Sequence, residues 1–469
     1  MEKSTHPKII SYYSKHKLRV WCYLLLMTLN CILMCGTAFS FSSLQNVLQQ
    51  KEELYNAPSW VNRIGTWTTA AGGLNCWGSA FSGLILPIVG TKMSSIPSLV
   101  IAGIGAAILT AGLRYHTESN LVGIGLLILS FGEAGTSIYT APLAYMFSSP
   151  KFLFTYCNAV FALSSFPFMI IQVMADRGYD LYKLMIAFTT CQVIFAFLAT
   201  AIWPKDIYAL VDKHNVEFNP HLVPLADHMS SDSFLHRTKS LCKDIWGAIF
   251  TNWRGAYVFW VGTICEVAWQ CLLAFYLGAQ QDIFIAAVGT GAAENSLTTG
   301  NNLISGLLGV FISIVVVVVD NIFHIHPLKY FFATMSFMWI WIPALVKKSV
   351  ASQWVALFLF YICQSMWFSA LYTVIGEYYP HHLYGPLTAI WCFLAGLATI
   401  ILGFGNFNIP YTAPWEGIIQ AIEGICIAIS IVGVCSYIFF YFDLKREDRG
   451  KKLPDHEIND GEFVEVSNN

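Results

Sequence analysis

The chain is 469 residues long, 56% hydrophobic and 15% aromatic, with 12% charged residues and a formal net charge of −2. That balance excludes an ordinary soluble domain and gives no sign of a nucleic-acid partner; the solvent it implies is the lipid bilayer. Apolar stretches recur along nearly the full length, which argues against a soluble enzyme held by a single anchor.

Residues 1–19 are basic and polar, lack a short apolar core with a small-residue cleavage site, and lead straight into a full-length apolar run. No cleaved signal is expected there, and the N-terminus is expected in the cytosol. Runs of about 20 apolar residues then predict twelve helices. Six lie at 20–43, 65–89, 96–113, 121–147, 154–175 and 183–203; after a polar segment at 204–255 come 256–278, 302–323, 328–346, 354–376, 387–405 and 417–442. The organisation is therefore a cytosolic tail (1–19), a six-helix half (20–203), a cytosolic central loop (204–255), a second six-helix half (256–442) and a cytosolic C-terminal tail (443–469). The central loop mixes basic and acidic residues and reads as a solvated linker with a short surface helix near 241–249. The tail is charged and poor in apolar residues, which predicts disorder or weak helix.

With both termini inside, about 19 of the 26 lysines and arginines fall on the cytosolic side, as the positive-inside rule requires of an even number of spans. The thirteen cysteines sit almost entirely in apolar runs with no CxxC pair or spaced histidines, so they read as packing residues, and no metal or cofactor is expected. Metalloprotease, nucleophile-elbow, paired-aspartate and phosphate-loop patterns are absent, so the chain is not read as an enzyme.

Two acids stand near the middle of apolar spans. Glu133 opens a stripe with Thr136, Ser137 and Thr140 at i, i+3, i+4 and i+7, and Glu266 lies on a stripe with Thr263 and Gln270. At 1.5 Å per residue Glu133 is about 18 Å from the outer end of its helix and Glu266 about 15 Å from the inner end of its own, close to mid-membrane. A carboxyl group in hydrocarbon costs several kcal/mol unless it is paired or hydrated, so each acid is a functional hypothesis, with a protonated packing residue as the bland alternative. No lysine or arginine lies in the interior of any span, so a protein counter-ion is missing; a cationic solute or a transported proton would supply the charge. Tyr361, Gln364, Ser365, Phe368 and Tyr372 make an aromatic and amide face on the tenth span, with Trp367 beside it, and Asn30, Thr37 and Phe41 mark another on the first.

Two loop segments carry a family resemblance. GLILPIVGTK matches the facilitator loop G-x-x-x-D-x-x-G-R-K at Gly83, Gly90 and Lys92 and departs from it at Pro87 and Thr91. EYYPHHLYGPLTA resembles E-x-x-P-x-x-x-R-G at Glu377, Pro380 and Gly385, with Tyr384 before the glycine. These segments resemble the major facilitator superfamily, and the aromatic before the glycine resembles its large neutral amino acid and apicomplexan amino acid transporter branch, as does GEAGTSIYTAPLAYMFSSPKFLF. The resemblance implies an all-α membrane protein of twelve transmembrane helices in two six-helix halves, with a mid-membrane solute site lined by the first, fourth, seventh and tenth helices. It implies transport by alternating access and a gating role for Gly83, Gly90, Lys92, Glu377, Pro380 and Gly385. The aspartate and arginine thought to latch the halves are replaced here, which leaves that latch in doubt.

The expected solute is a small polar organic molecule, an amino acid first and a cationic one such as arginine by preference. Glu133 and Glu266 would contact its positive group, with Thr136, Ser137 and Asn30 beside them, Gln270 and Gln364 as hydrogen-bonding groups, and Tyr361 and Trp367 shaping the pocket. A proton-coupled carrier of a sugar, nucleoside or carboxylate stays open, as does a non-transporting receptor or partner protein that kept the fold. A monomer in the plasma membrane is expected.

Overall fold

The computed structural model describes residues 17–36, 43–44, 47, 58–114, 119–146, 163–205, 234–289, 349–405 and 415–450, with isolated positions between 153 and 161 and between 291 and 318. Among the described residues the regular structure is helical: α1 Lys17–Met34, α2 Pro58–Val89, α3 Thr91–Arg114, α4 Ser119–Thr140, α5 Phe166–Asp176, α6 Leu181–Ile202, α7 Phe234–Trp246, α8 Trp253–Val288, α9 Val350–Tyr378, α10 Tyr384–Gly405 and α11 Trp415–Gly450. Eight of these (α1, α2, α3, α4, α6, α8, α10 and α11) contain a segment long and apolar enough to cross a membrane. The seventh, tenth, eleventh and twelfth expected spans are α8, α9, α10 and α11. Only isolated helical positions are described within 302–323, and the expected span at 328–346 lies outside the described residues, as do 1–16, 206–233 and 451–469.

Hydropathy placed several ends differently, for identifiable reasons. α3 begins at Thr91 and not near 96, because Ser94 and Ser95 satisfy their hydroxyls on the helix itself, donating to Thr91 O (3.0 Å) and Lys92 O (2.8 Å). α8 runs on past 278 to Val288, where Gly289 at φ 75° ends it. At its start Asn252 accepts from the Arg254 and Gly255 amides. The linker helix covers 234–246, earlier than 241–249, and a wider turn at Gly247–Thr251 follows it. α4 gives way after Thr140 to a tighter 3-10 turn, Ala141–Met146, that contains Pro142, and Pro167 sits in the first turn of α5, where its missing N–H breaks no bond. α11 continues to Gly450, into the expected tail.

Small residues set the packing. α2 and α4 are joined by Ser130 Oγ to Ala71 O (2.7 Å), Asn75 Nδ2 to Ser130 O and Ser79 Oγ to Ala134 O (both 3.2 Å). A side chain at Gly78 would collide with the Phe131 carbonyl, so the two backbones touch there. In lipid no hydrophobic force drives helices together, and such close contacts with hydroxyl-to-carbonyl bonds are what replaces it. The same device joins the halves along α2 and α10. A Cβ at Gly396 would come within 2.7 Å of Gly73 O, and one at Gly83 within 2.5 Å of Gly385 O. Trp77 stacks on Phe393 at 5.7 Å and donates to its carbonyl. Outward-facing apolar side chains such as Ile194, Phe197, Val432 and Phe439 present the belt that lipid would cover.

Two glycines of α2 should respond oppositely to substitution. Gly78→Val is expected to lower the thermal midpoint of the purified protein, with an overpacking cost of about 1–3 kcal/mol. Gly72, with open space around its α-carbon, should accept alanine and gain about 0.5–1 kcal/mol of helix stability. Differential scanning fluorimetry of both variants reads the two signs.

Candidate functional site

Glu133 is fully buried on α4, and its described partners come from the N-terminal half. Gln192 of α6 donates from Nε2 to Leu33 O (2.8 Å) and reaches Glu133 Oε1 at 3.4 Å. One turn on, the Thr136 hydroxyl lies 2.6 Å from Glu133 O and 2.7 Å from Met34 O. Asn30 of α1 donates to Thr136 O and Cys35 Sγ, both at 3.2 Å, and accepts from the Tyr139 hydroxyl at 3.0 Å. This cluster ties α1, α4 and α6 together around the acid, so Asn30 and Thr136 spend these bonds inside one half. Ser137 is half-buried and bonds back to Ala134 O. The side chain of Thr140, and the positions Thr37 and Phe41, lie outside the described residues.

Glu266 is 2% exposed on α8 and is held from the C-terminal half. Gln270, one turn along, donates from Nε2 to Oε1 at 2.9 Å, and the Trp367 indole of α9 donates to Oε2 in a short hydrogen bond. Both carboxyl oxygens thus meet a neutral donor, which replaces part of the lost hydration without cancelling the charge. Trp367 packs on Trp269 at 5.9 Å, and Trp269 on Phe360 at 6.4 Å, so aromatic walls fix the indole. Tyr361 donates to Asn301 Oδ1 at 2.7 Å, and Gln364 is half-buried one turn before Trp367. The side chains of Ser365, Phe368 and Tyr372 are outside the described set.

α2 relates the two clusters. Its residues Asn75, Gly78 and Ser79 meet α4 between Ser130 and Ala134, and between them Cys76 packs against Gly396 of α10. One turn before Glu266, Gly262 of α8 lies against the Trp391 ring of α10 and the Trp391 indole donates to Phe259 O at 3.2 Å, and α10 in turn crosses α2 at Gly73 and Gly396.

The loop residues gather at the opposite end of α2. Gly90 adopts φ 82° and donates to Leu86 O, the left-handed turn that lets α3 start at Thr91. Lys92 binds the end of α6 through its amide to Lys205 O (3.1 Å) and its ammonium to Ala201 O (3.4 Å). Pro87 stands inside the last turn of α2 and cannot donate to residue 83. The Gly83 carbonyl freed in this way is the atom Gly385 approaches, so the two signature loops meet backbone to backbone. Pro380 O accepts from Leu383 N in the turn before α10, and Glu377 lies on the last turn of α9 with its side chain outside the described set. Tyr379, just beyond, donates to Gly255 O at 2.6 Å; burial pushes its phenol above the ordinary value, which keeps it a donor. The linker helix α7 touches both halves here, through Arg237 Nη1 to Ile88 O (3.3 Å) and Asp244 to His382 (3.6 Å).

Sequence reasoning missed Gln192, Asn301, Tyr139, Cys35 and Trp269. Gln192 had a signal, as a lone amide in an apolar helix. Asn301 stands in a polar stretch that hides it, and the other three belong to types that fill membrane interiors without comment.

No family model matches the chain, and no curated protein matches it. Solved structures do. XylE, a proton:xylose symporter of the major facilitator superfamily bound to 6-bromo-6-deoxy-D-glucose, matches at TM-score 0.62 and 13% identity over 91% of this chain and 96% of that one. A structure of XylE with two tryptophan substitutions matches at 0.64 and 13%, over 90% and 95%. The human organic anion transporter MFSD10 matches at 0.50 and 12%, over 90% and 99%. The chain has the all-α major facilitator fold that its loop signatures implied.

The bond between Trp367 and Glu266 predicts coupling. Trp367→Phe and Glu266→Gln should each change the thermal midpoint, and the double variant should fall short of their sum by about 0.5–3 kcal/mol. Additive midpoints would mean that the indole does not hold the carboxylate.

Proposed function

We propose that this chain is an alternating-access transporter of small polar organic solutes, with amino acids as the solute class and cationic ones preferred. The observation that carries the reading is the placement of Glu266. A buried carboxyl group held by two neutral donors, Gln270 and Trp367, stands on α8 one turn beyond its packing on α10, the helix that crosses to the other half. A solute bearing an ammonium or guanidinium group would supply the charge these donors leave uncompensated, and its departure would make the site costly again, which suits a carrier. Gln364, Tyr361 and Trp367 form the neutral wall of the site on this reading, and Asn30, Thr136 and Ser137 support Glu133. Gly83 and Gly385, with Gly90, Lys92, Glu377 and Pro380 around them, form the gate at the loop end. On this reading that end faces the cytosol, the side to which the positive-inside count assigns most lysines and arginines, and the protein is a monomer in the plasma membrane.

A second reading is favoured by the Glu133 cluster. An acid fully buried against the Gln192 amide suits a proton site, and a structural neighbour is a proton:xylose symporter. The solute would then be a sugar, nucleoside or carboxylate.

One uptake experiment separates these. Radiolabelled arginine, leucine, glucose and a nucleoside are offered to cells expressing the protein, with and without an inward proton gradient. Arginine uptake that falls at least tenfold per surface molecule in Glu266→Gln supports the first reading, and unchanged uptake in that variant sinks it. Uptake of a neutral solute that follows the proton gradient and is abolished in Glu133→Gln would establish the second. In reconstituted vesicles the absence of any flux would point to a receptor or partner protein.

A further inference from the structure

The linker helix α7 uses only one of its faces to hold the two halves. Arg237, Leu241, Asp244 and Ile245, three and four residues apart, turn inward: Leu241 is buried, and Arg237 and Asp244 make the contacts to Ile88 and His382. On the opposite side Leu235, Cys242 and Trp246, at i, i+7 and i+11, form an exposed stripe, with Leu235 at 76% and Trp246 at 63% exposure. Lys239 and Lys243, also exposed, run beside it at i+4 and i+8. The helix therefore carries an uncovered apolar line edged by positive charge.

Its depth follows from the rings that continue the line. Trp246 lies 4.4 Å from Phe250, and Phe250 lies 5.7 Å from Trp260. The Trp260 indole donates to Ile249 O at 3.0 Å, so the turn after α7 runs alongside α8 at the level of Trp260. Trp260 is two turns inside a helix apolar enough to span and faces outward from it. The stripe is thus continuous with the outer surface of a spanning helix, at its first turns. Indole rings and lysines with buried stems are the side chains that settle at that boundary.

We propose that α7 lies on the membrane surface as an interfacial helix, with Leu235, Cys242 and Trp246 in the acyl boundary and Lys239 and Lys243 against anionic phospholipid headgroups. Charge complementarity selects the occupant: the edge of the stripe is basic, and a leaflet carrying anionic lipid is the negative surface that lies beside it. Because the inner face of the same helix touches both halves, the lipid would fix the helix that spans their seam. The proposal rests on the chain being in a membrane and is independent of the solute.

Cys242 reports the outcome. Full-length protein is placed in nanodiscs of phosphatidylcholine alone or with phosphatidylserine and treated with a water-soluble maleimide, and the modification rate at Cys242 is read by peptide mass spectrometry. Labelling is expected to be slower in the anionic discs, with protection falling about fivefold for each lysine removed in Lys239→Gln and Lys243→Gln and weakening in high salt. Trp246→Ser should raise labelling in both disc types while the lysines remain. Equal labelling of wild-type protein in the two disc types overturns the proposal. Protection that survives in the double lysine variant also overturns it and points to a protein covering the stripe. Neither readout depends on uptake, so a failure here leaves the transport reading standing, and the reverse holds.

Discussion

Two helices in a bilayer gain nothing by hiding apolar surface from each other, because lipid offers the same surface; they associate only where their backbones can approach closely enough for dispersion and weak polar contacts to exceed those made with lipid. α2 and α10 meet that condition at Gly73 with Gly396 and at Gly83 with Gly385. A methyl group at any of these positions would force the helices apart. α10, held in place by that crossing, is the helix on which α8 packs through Gly262 and Trp391, one turn before Glu266.

Pro87 gives the lower contact its character. It stands where the facilitator loop has an aspartate, and its chemistry is different: it supplies no charge to latch the halves, but it frees the Gly83 carbonyl four residues earlier. Gly385 then approaches an oxygen without its helix partner. A backbone contact of this kind tolerates sliding better than an ion pair with fixed donors would. The linker helix adds longer-range ties from Arg237 and Asp244 at the same end. Loss of the signature charges therefore leaves the halves in contact by other means.

The two acids differ in environment. Glu133 is enclosed by an amide and by helix carbonyls that already have partners, in a cluster that also knits α1 to α4. Glu266 has a donor on each oxygen, both from the C-terminal half. Neutral donors lower the cost of a buried carboxyl without removing it. That difference is why the first reading leans on Glu266 and the second on Glu133.

Much of this was legible in the sequence. Apolar length alone marks most of the spans, spacing alone puts Glu133 with Thr136 and Glu266 with Gln270 on single helix faces, and Gly83, Gly90 and Gly385 carry the fold family in two short loops. These features are local, set by helical periodicity, by hydrocarbon thickness and by the φ of single residues. Helix ends were less legible, because Ser94 and Ser95 look like a loop until their hydroxyls bond back to the helix. What only the tertiary structure decided were relations between distant segments: that Trp367 holds Glu266, that Gln192 reaches Glu133, that the two signature loops meet, and that α7 leaves Leu235 and Trp246 uncovered. Those depend on which helix faces oppose each other in three dimensions, and a pattern along one chain carries no record of what lies across from it.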